Sequence, residues 1–210
     1  MRVPLTRRPD PDHTGVGKDA DEKQNEKQNK ASVRCLAEGG ISVALAIALS
    51  YLKIPIGLAF GGFGGSIDLV MVPLIVFAVR WGVGWGMGAG LIFGTLKYFL
   101  GAHGDISWVS IVFDYSVAYA FVGLSGLLRR NYTWISVSAL IGCLARFLIH
   151  YLSGVTVYAQ YMPEEFMGVT RLTPALYSLL YNGTYMLPNT VLAMILCAAL
   201  IVPLRKLDGK

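Results

Sequence analysis

A chain of 210 residues that is 54% hydrophobic and only 15% charged, with a mean hydropathy of +0.53, is too apolar for an ordinary water-soluble domain. Its net charge of +5 gives no nucleic-acid footprint, because the basic residues stand at the ends of apolar segments rather than in one patch. Residues 1–34 hold eight of the eighteen Lys and Arg and six of the thirteen Asp and Glu. That division predicts a polar tail over 1–34, a membrane domain over 35–205 and a short cytoplasmic C-terminus over 206–210.

The tail, "MRVPLTRRPDPDHTGVGKDADEKQNEKQNKAS", has no apolar centre and does not read as a signal peptide. Its Pro, Gly, Lys, Glu and Gln content predicts disorder. Six apolar segments follow, so the fold class expected is all-α, a bundle of six transmembrane helices. The first runs from Leu36 to Leu52 and carries Gly40, Ala44 and Ala48 four residues apart. Such a stripe lets another helix approach closely, either inside the bundle or from a partner protein. The second, Ile67 to Val79, is shorter than the roughly 20 residues a full span needs. Asp68 opens it, in "SID", where a helix cap is the simplest role. The third runs from Val83 to Leu100, with Lys97 near its outer end, placed to snorkel to the interface.

The fourth segment, "WVSIVFDYSVAYAFVGLSGLL", runs from Trp108 to Leu128 and contains Asp114. A carboxylate near the middle of a span costs about 2.5–3.5 kcal/mol on insertion scales. Such residues face the bundle interior and mark a pathway or a ligand. The fifth segment, Trp134 to Val157, and the residue beyond it bring Arg146, His150, Gly154 and Tyr158 round every four residues, on one broad face. Arg146 lies deeper and suits a structural carboxylate or carbonyl. Gly154 leaves room for a ring against the backbone. The sixth segment, Pro174 to Pro203, has Pro188 inside it and Tyr177, Tyr181 and Tyr185 at spacings of four, with Asn182 among them. A Tyr stripe fits an interfacial aromatic belt, but an amide inside a span needs partners.

Cys35, Cys143 and Cys197 have no metal or redox spacing. They read as small buried hydrophobes, and neither metal nor cofactor is expected. Arg80, Arg129, Arg130, Arg205, Lys206 and Lys210 fall on one set of connections. Lys53 and Arg171 fall on the other, with Asp105, Glu164 and Glu165. The positive-inside rule therefore puts both termini in the cytoplasm of a multi-pass plasma-membrane protein. The outer loops, "LKIPIGLAFGGFGGSID" and "YAQYMPEEFMGVTRLTP", are the longer and chemically richer ones, which places a candidate site at the outer face.

One carboxylate, one imidazole, one carboxamide and several Tyr rings suit a small, flat, polar ligand with a positive charge. Two other readings use the same residues. Asp114 and His150 are a conceivable acid–base pair of an intramembrane enzyme, although no nucleophile motif, HExxH or paired-Asp signature accompanies them. The polar residues also suit a membrane scaffold in which they only join helices.

The stretches "GGSIDLVMVPLIVFAVRWGVGWGMGAGLIFGTLKYFLG", "VFDYSVAYAFVGLSGL", "RFLIHYLSGV" and "LYSLLYNGTYMLP", taken in order, resemble the S components of energy-coupling-factor (ECF) vitamin transporters, most closely the thiamine-specific ones. The resemblance covers most of residues 36–203 and leaves out the tail. It implies a six-helix membrane bundle that binds thiamine near the extracellular side, under the loop joining helices one and two. It implies no ATPase of its own, and docking onto a transmembrane coupling protein that carries two cytoplasmic ATPase subunits. Gly40, Ala44 and Ala48 match part of that docking face. Among the ligand residues, Asp114 and Tyr115 match the acidic residue and following Tyr of helix four. His150 matches the histidine of helix five, with Gly154 one turn later. Tyr158 stands where some members have Trp, and Tyr177 and Asn182 match the pair opening helix six. Phe60 and Phe63 are candidates for the first-loop aromatic. The acid is Asp here and Glu in some members, which bears on ligand choice. An S component for riboflavin or a thiamine precursor would use the same fold, but riboflavin has no fixed positive charge to meet Asp114.

Overall fold

The computed structural model describes residues 14–56, 65–101 and 111–209. Phe60, Phe63, Asp105 and Trp108 lie outside them. The chain divides into two compact units, Met1–Ala37 and Glu38–Lys210.

In the first unit the described residues belong to helix α1, Thr14–Ser50. The composition predicts disorder here, and the described residues 14–34 are helical. Glu, Lys, Gln and Ala are strong helix formers, and Glu26 and Lys30 pair one turn apart at 2.6 Å. Residues 21–34 are exposed on every side, so local propensity rather than a core shapes them.

The second unit opens with the rest of α1. A two-stranded antiparallel hairpin follows, β1 (Ile54–Pro55) and β2 (Ser66–Ile67), with Ile54 opposite Ile67. Next come α2 (Met71–Trp81) and α3 (Val83–Leu100). The fourth helical run is composite. It is a π turn over Ile111–Val117, then α4 (Ala118–Val122), then a 3₁₀ stretch over Gly123–Leu128. Helix α5 spans Ile135–Thr156 and α6 spans Pro174–Ala199. Helix α7, Ile201–Leu207, continues α6 at a bend of 49°. Thr173 starts α6 by accepting from the Leu176 amide at 3.2 Å, with Pro174 in the first turn. Counting α6 with α7 as one, the described residues form six helical runs, in agreement with the six apolar segments. Tyr132–Thr156 and Asp21–Ser50 are each long and apolar enough to cross a membrane, and α6 and α7 are so when taken together across their bend.

The bundle is apolar inside and out. Val70, Ile75, Phe93, Tyr119, Ile135 and Met186 are buried, while Leu91, Ile92, Phe99, Leu148, Leu187 and Ile195 are exposed on the outer faces. A helix that is hydrophobic all round fits lipid rather than water as its solvent. Close backbone contact holds α3 to the fourth run. A Cβ added to Gly90 would lie 2.1 Å from the Tyr119 carbonyl oxygen, and one on Gly94 would lie 2.2 Å from that of Tyr115. Small residues at such spacing are how membrane helices pack without a hydrophobic drive.

The end of the bundle opposite the hairpin is closed by charge. The Arg80 guanidinium lies 3.0 Å from Asp208 and 3.4 Å from Glu38. The Trp81 indole also donates to Glu38, at 2.7 Å, and the Tyr132 hydroxyl donates to Asp208. The chain's last helix and α1 are thereby tied to the end of α2.

Candidate binding site

His150 lies on α5, six residues before that helix ends, and Asp114 lies in the π turn. His150 Nδ1 is 3.3 Å from Asp114 Oδ1, and the side chains are only 11% and 14% exposed. Asp114 Oδ2 and His150 Nε2 are buried with no hydrogen-bond partner among the described residues. A native fold seldom leaves such atoms unmatched unless they have another use.

The π turn sets this pairing. It closes five residues apart instead of four, which accommodates one extra residue in the run. Asp114 and Tyr119 are five apart on the fourth run. Their partners His150 and Arg146 are four apart on α5. The wide turn absorbs the difference, so both contacts form at once.

Beside His150 stands a ladder of rings. Tyr185 meets the imidazole edge-on at 6.3 Å, Tyr181 meets Tyr185 at 5.9 Å, and Tyr177 stacks on Tyr181 at 5.7 Å. Phe166, from the loop before α6, closes on Tyr177 at 5.2 Å. Gly65, beside β2, packs on the Tyr185 ring: a Cβ there would come within 2.5 Å of it, and φ is +95°. The root of the first loop therefore rests on the ladder.

Asn182 is buried and bonded at both ends of its amide. Its nitrogen donates to the Ser178 carbonyl at 2.9 Å, to the Ser178 hydroxyl at 3.1 Å and to the His150 carbonyl at 3.4 Å. Its oxygen accepts from the Tyr185 hydroxyl. Gly154 faces Ser178 rather than an open space. A Cβ on it would meet Ser178 Oγ at 2.2 Å, so the room it leaves is used by α6. Tyr115 packs edge-on against Tyr98 at 5.6 Å. Tyr158 follows the end of α5 and lies 6.3 Å from Tyr161.

Asp114, His150, Asn182, Gly154 and, through the ladder, Tyr177 thus come together. Tyr115 follows Asp114 on the same turn with its ring on Tyr98, and the Tyr158 ring lies against Tyr161. Sequence reasoning missed Ser178, Phe166 and Tyr119. Ser178 has a signal, its spacing of four from Asn182. Phe166 sits in an irregular loop and has none.

A second polar group lies around Tyr119. Its hydroxyl accepts from Lys97 at 2.7 Å and from Arg146 at 3.0 Å. Lys97 also stands 3.5 Å from Asp68, so it turns inward to a carboxylate instead of snorkelling. Asp68 accepts from the Val70 amide at 3.3 Å, one residue ahead of α2, and its own amide donates to Asn189 at 2.9 Å. Among the described residues no three His, Cys, Asp or Glu side chains gather as a metal site.

A helical bundle with apolar outer faces, a buried carboxylate–imidazole pair and an aromatic wall has the chemistry to hold a small polar ligand. The family model described as thiamine transporter protein (Thia_YuaJ) matches residues 36–208, and the chain belongs to that family. It is 30% identical over 190 residues to the thiamine transporter ThiT of Bacillus subtilis, covering 81% of this chain and 91% of that protein. It is 26% identical over 204 residues to ThiT of Lacticaseibacillus paracasei, covering 88% and 96%. A solved structure of ThiT from Listeria monocytogenes superposes with a TM-score of 0.71 at 26% identity, covering 84% of this chain and 98% of that one. These findings agree with the resemblance to thiamine-specific S components read from the sequence.

Proposed function

We propose that this chain is the high-affinity thiamine-binding subunit of an ATP-driven ECF importer, with no ATPase activity of its own. One observation carries the reading: Asp114 and His150 face each other in the bundle, and each keeps a buried polar atom with no partner among the described residues. Thiamine joins a permanently charged thiazolium to an aminopyrimidine. Asp114 offsets the positive charge or accepts from the amino group, and a charge-assisted bond is about twice as strong as a neutral one. His150 binds the ring system alongside it. The Tyr faces attract the thiazolium by cation–π interaction, worth about 2 kcal/mol when desolvated. Tyr115, Tyr158 and Tyr177 supply further ring surface. Asn182 has its amide engaged on both sides, so it fixes Tyr185 and α6 and reaches ligand by exchanging one of those bonds. Gly154 acts by letting α6 approach α5.

Binding concentrates the vitamin but supplies no work. The sequence has no G-x-x-x-x-G-K-[ST] phosphate loop, so the energy comes from a coupling protein with two cytoplasmic ATPases. Gly40, Ala44 and Ala48 are all exposed, which supports a docking face on α1 rather than packing inside the bundle. Neighbouring Val43 and Ala46 point inward and are buried. The basic end, with Arg80, Arg129, Arg130, Arg205 and Lys206, lies in the cytoplasm with both termini. Family membership stands against the enzyme reading of Asp114 and His150, since the matched proteins are transporters by name.

The test is thiamine titration of Asp114→Ala and His150→Ala. Each loses about 2–5 kcal/mol of binding free energy, as expected when a desolvated partner is left unpaired. Undiminished affinity in both variants would remove the site assignment.

A further inference from the structure

We propose that Tyr119 is a positioning residue of the ligand site: it holds Arg146 away from Asp114, so that this carboxylate meets a cationic ligand instead of a guanidinium. The inference rests on the thiamine reading above. Arg146 is 6% exposed and makes no ion pair with any carboxylate of the described residues. Its Nη2 donates to the Tyr119 hydroxyl at 3.0 Å, and its guanidinium lies 4.1 Å from the centre of the Tyr119 ring. Its Nε and Nη1 have no partner among the described residues. Tyr119 is therefore the group that holds this buried charge, by its oxygen and by its ring face.

Tyr119 is well placed to do so because it is packed into the core. It is 1% exposed, its ring meets Phe93 edge-on at 4.7 Å, and its carbonyl lies against Gly90. Lys97 donates to the same hydroxyl at 2.7 Å. The two acidic side chains in this part of the bundle are otherwise engaged. Asp68 has Lys97 at 3.5 Å and Asp114 has His150 at 3.3 Å.

Arg146 and His150 are one helical turn apart, about 6 Å along α5. The arginine side chain spans that distance. Released from Tyr119, it reaches the carboxylate beside His150. A desolvated Arg–Asp pair then forms with little solvent to compete, and an incoming cation meets a neutralised site with a like charge next to it. The fold thus keeps a buried cation near a cation-binding site and restrains it with a phenol.

The experiment uses the detergent-solubilised full chain and two ligands, thiamine and a neutral isostere in which an uncharged ring replaces the thiazolium. Tyr119→Leu should weaken thiamine about tenfold or more, equivalent to about 1.4 kcal/mol per tenfold. It should weaken the neutral isostere, which feels no repulsion from Arg146, at least about threefold less than thiamine. Adding Arg146→Met should return thiamine affinity to within about threefold of wild type, which lost packing alone would not do. If Tyr119→Leu does not fold, Tyr119→Phe removes only the acceptor oxygen and should give a smaller loss of the same kind, again recovered by Arg146→Met. Equal weakening of both ligands, unchanged thiamine affinity or no recovery in the double variant overturns the inference. Wild type and Asp114→Asn run alongside. Wild type that fails to bind thiamine, or Asp114→Asn that binds it normally, overturns the functional reading and this inference with it.

Discussion

Asp114 is kept at a cost to the fold. Its Oδ2 is buried without a partner among the described residues, and an unmatched buried acceptor costs about 1–3 kcal/mol, more when charged. If the carboxylate is retained for ligand, stability and binding should respond in opposite directions. Asp114→Asn removes the charge and keeps the shape. We expect the ligand-free variant to unfold at the same temperature as wild type or higher, while thiamine binds at least about tenfold more weakly. A purely structural Asp114 would lose stability instead, and thermal unfolding read beside titration separates the two. Asp114 and His150 were legible because ionisable residues in a span are rare and expensive. Gly154 and Asn182 were legible as positions but not as roles. The sequence cannot show that Ser178 fills the space over Gly154, or that both ends of the Asn182 amide are engaged. Tyr119 was invisible for a similar reason: one more aromatic in an apolar run gives no sign that two cations share its oxygen.

At the scale of elements, the site depends on how closely α3 and the fourth run approach. The carbonyl oxygens facing Gly90 and Gly94 belong to Tyr119 and Tyr115, both in the stretch that runs from Asp114 to Tyr119. Backbone cannot rotate away as a side chain can. Gly90→Leu should therefore prevent recovery of folded, monodisperse protein, since the added Cβ falls 2.1 Å from a main-chain oxygen and overpacking against backbone exceeds the usual 1–3 kcal/mol or so. Wild-type yield and melting temperature for Gly90→Leu would contradict this packing. The six runs were readable from apolar length alone. The π turn was not, because a segment that is apolar on all sides has no periodicity from which a wide turn could be read. The helix over residues 14–34 has no apolar pattern to announce it, since low hydrophobicity rules out a core but not an exposed helix of good helix formers.

At the scale of the whole molecule, the proposed binding site and the proposed docking stripe fall on separate surfaces. The candidate site lies in the hairpin half of the bundle, whereas Gly40, Ala44 and Ala48 form an exposed stripe on α1. A Cβ on Gly40 meets nothing within 4 Å, so a large residue there should not disturb the fold. Gly40→Trp is expected to bind thiamine as wild type does while failing to co-purify with the proposed coupling protein and ATPases. Loss of thiamine binding, or an intact complex, would place the docking face elsewhere.

The central claim is that this bundle is a receptor for thiamine, and titration calorimetry of the solubilised chain, with riboflavin as control, tests it most directly. Thiamine should bind one-to-one at submicromolar concentration, about −8 kcal/mol or stronger, and riboflavin should give no heat. Folded protein that binds riboflavin instead, or neither vitamin, would contradict it.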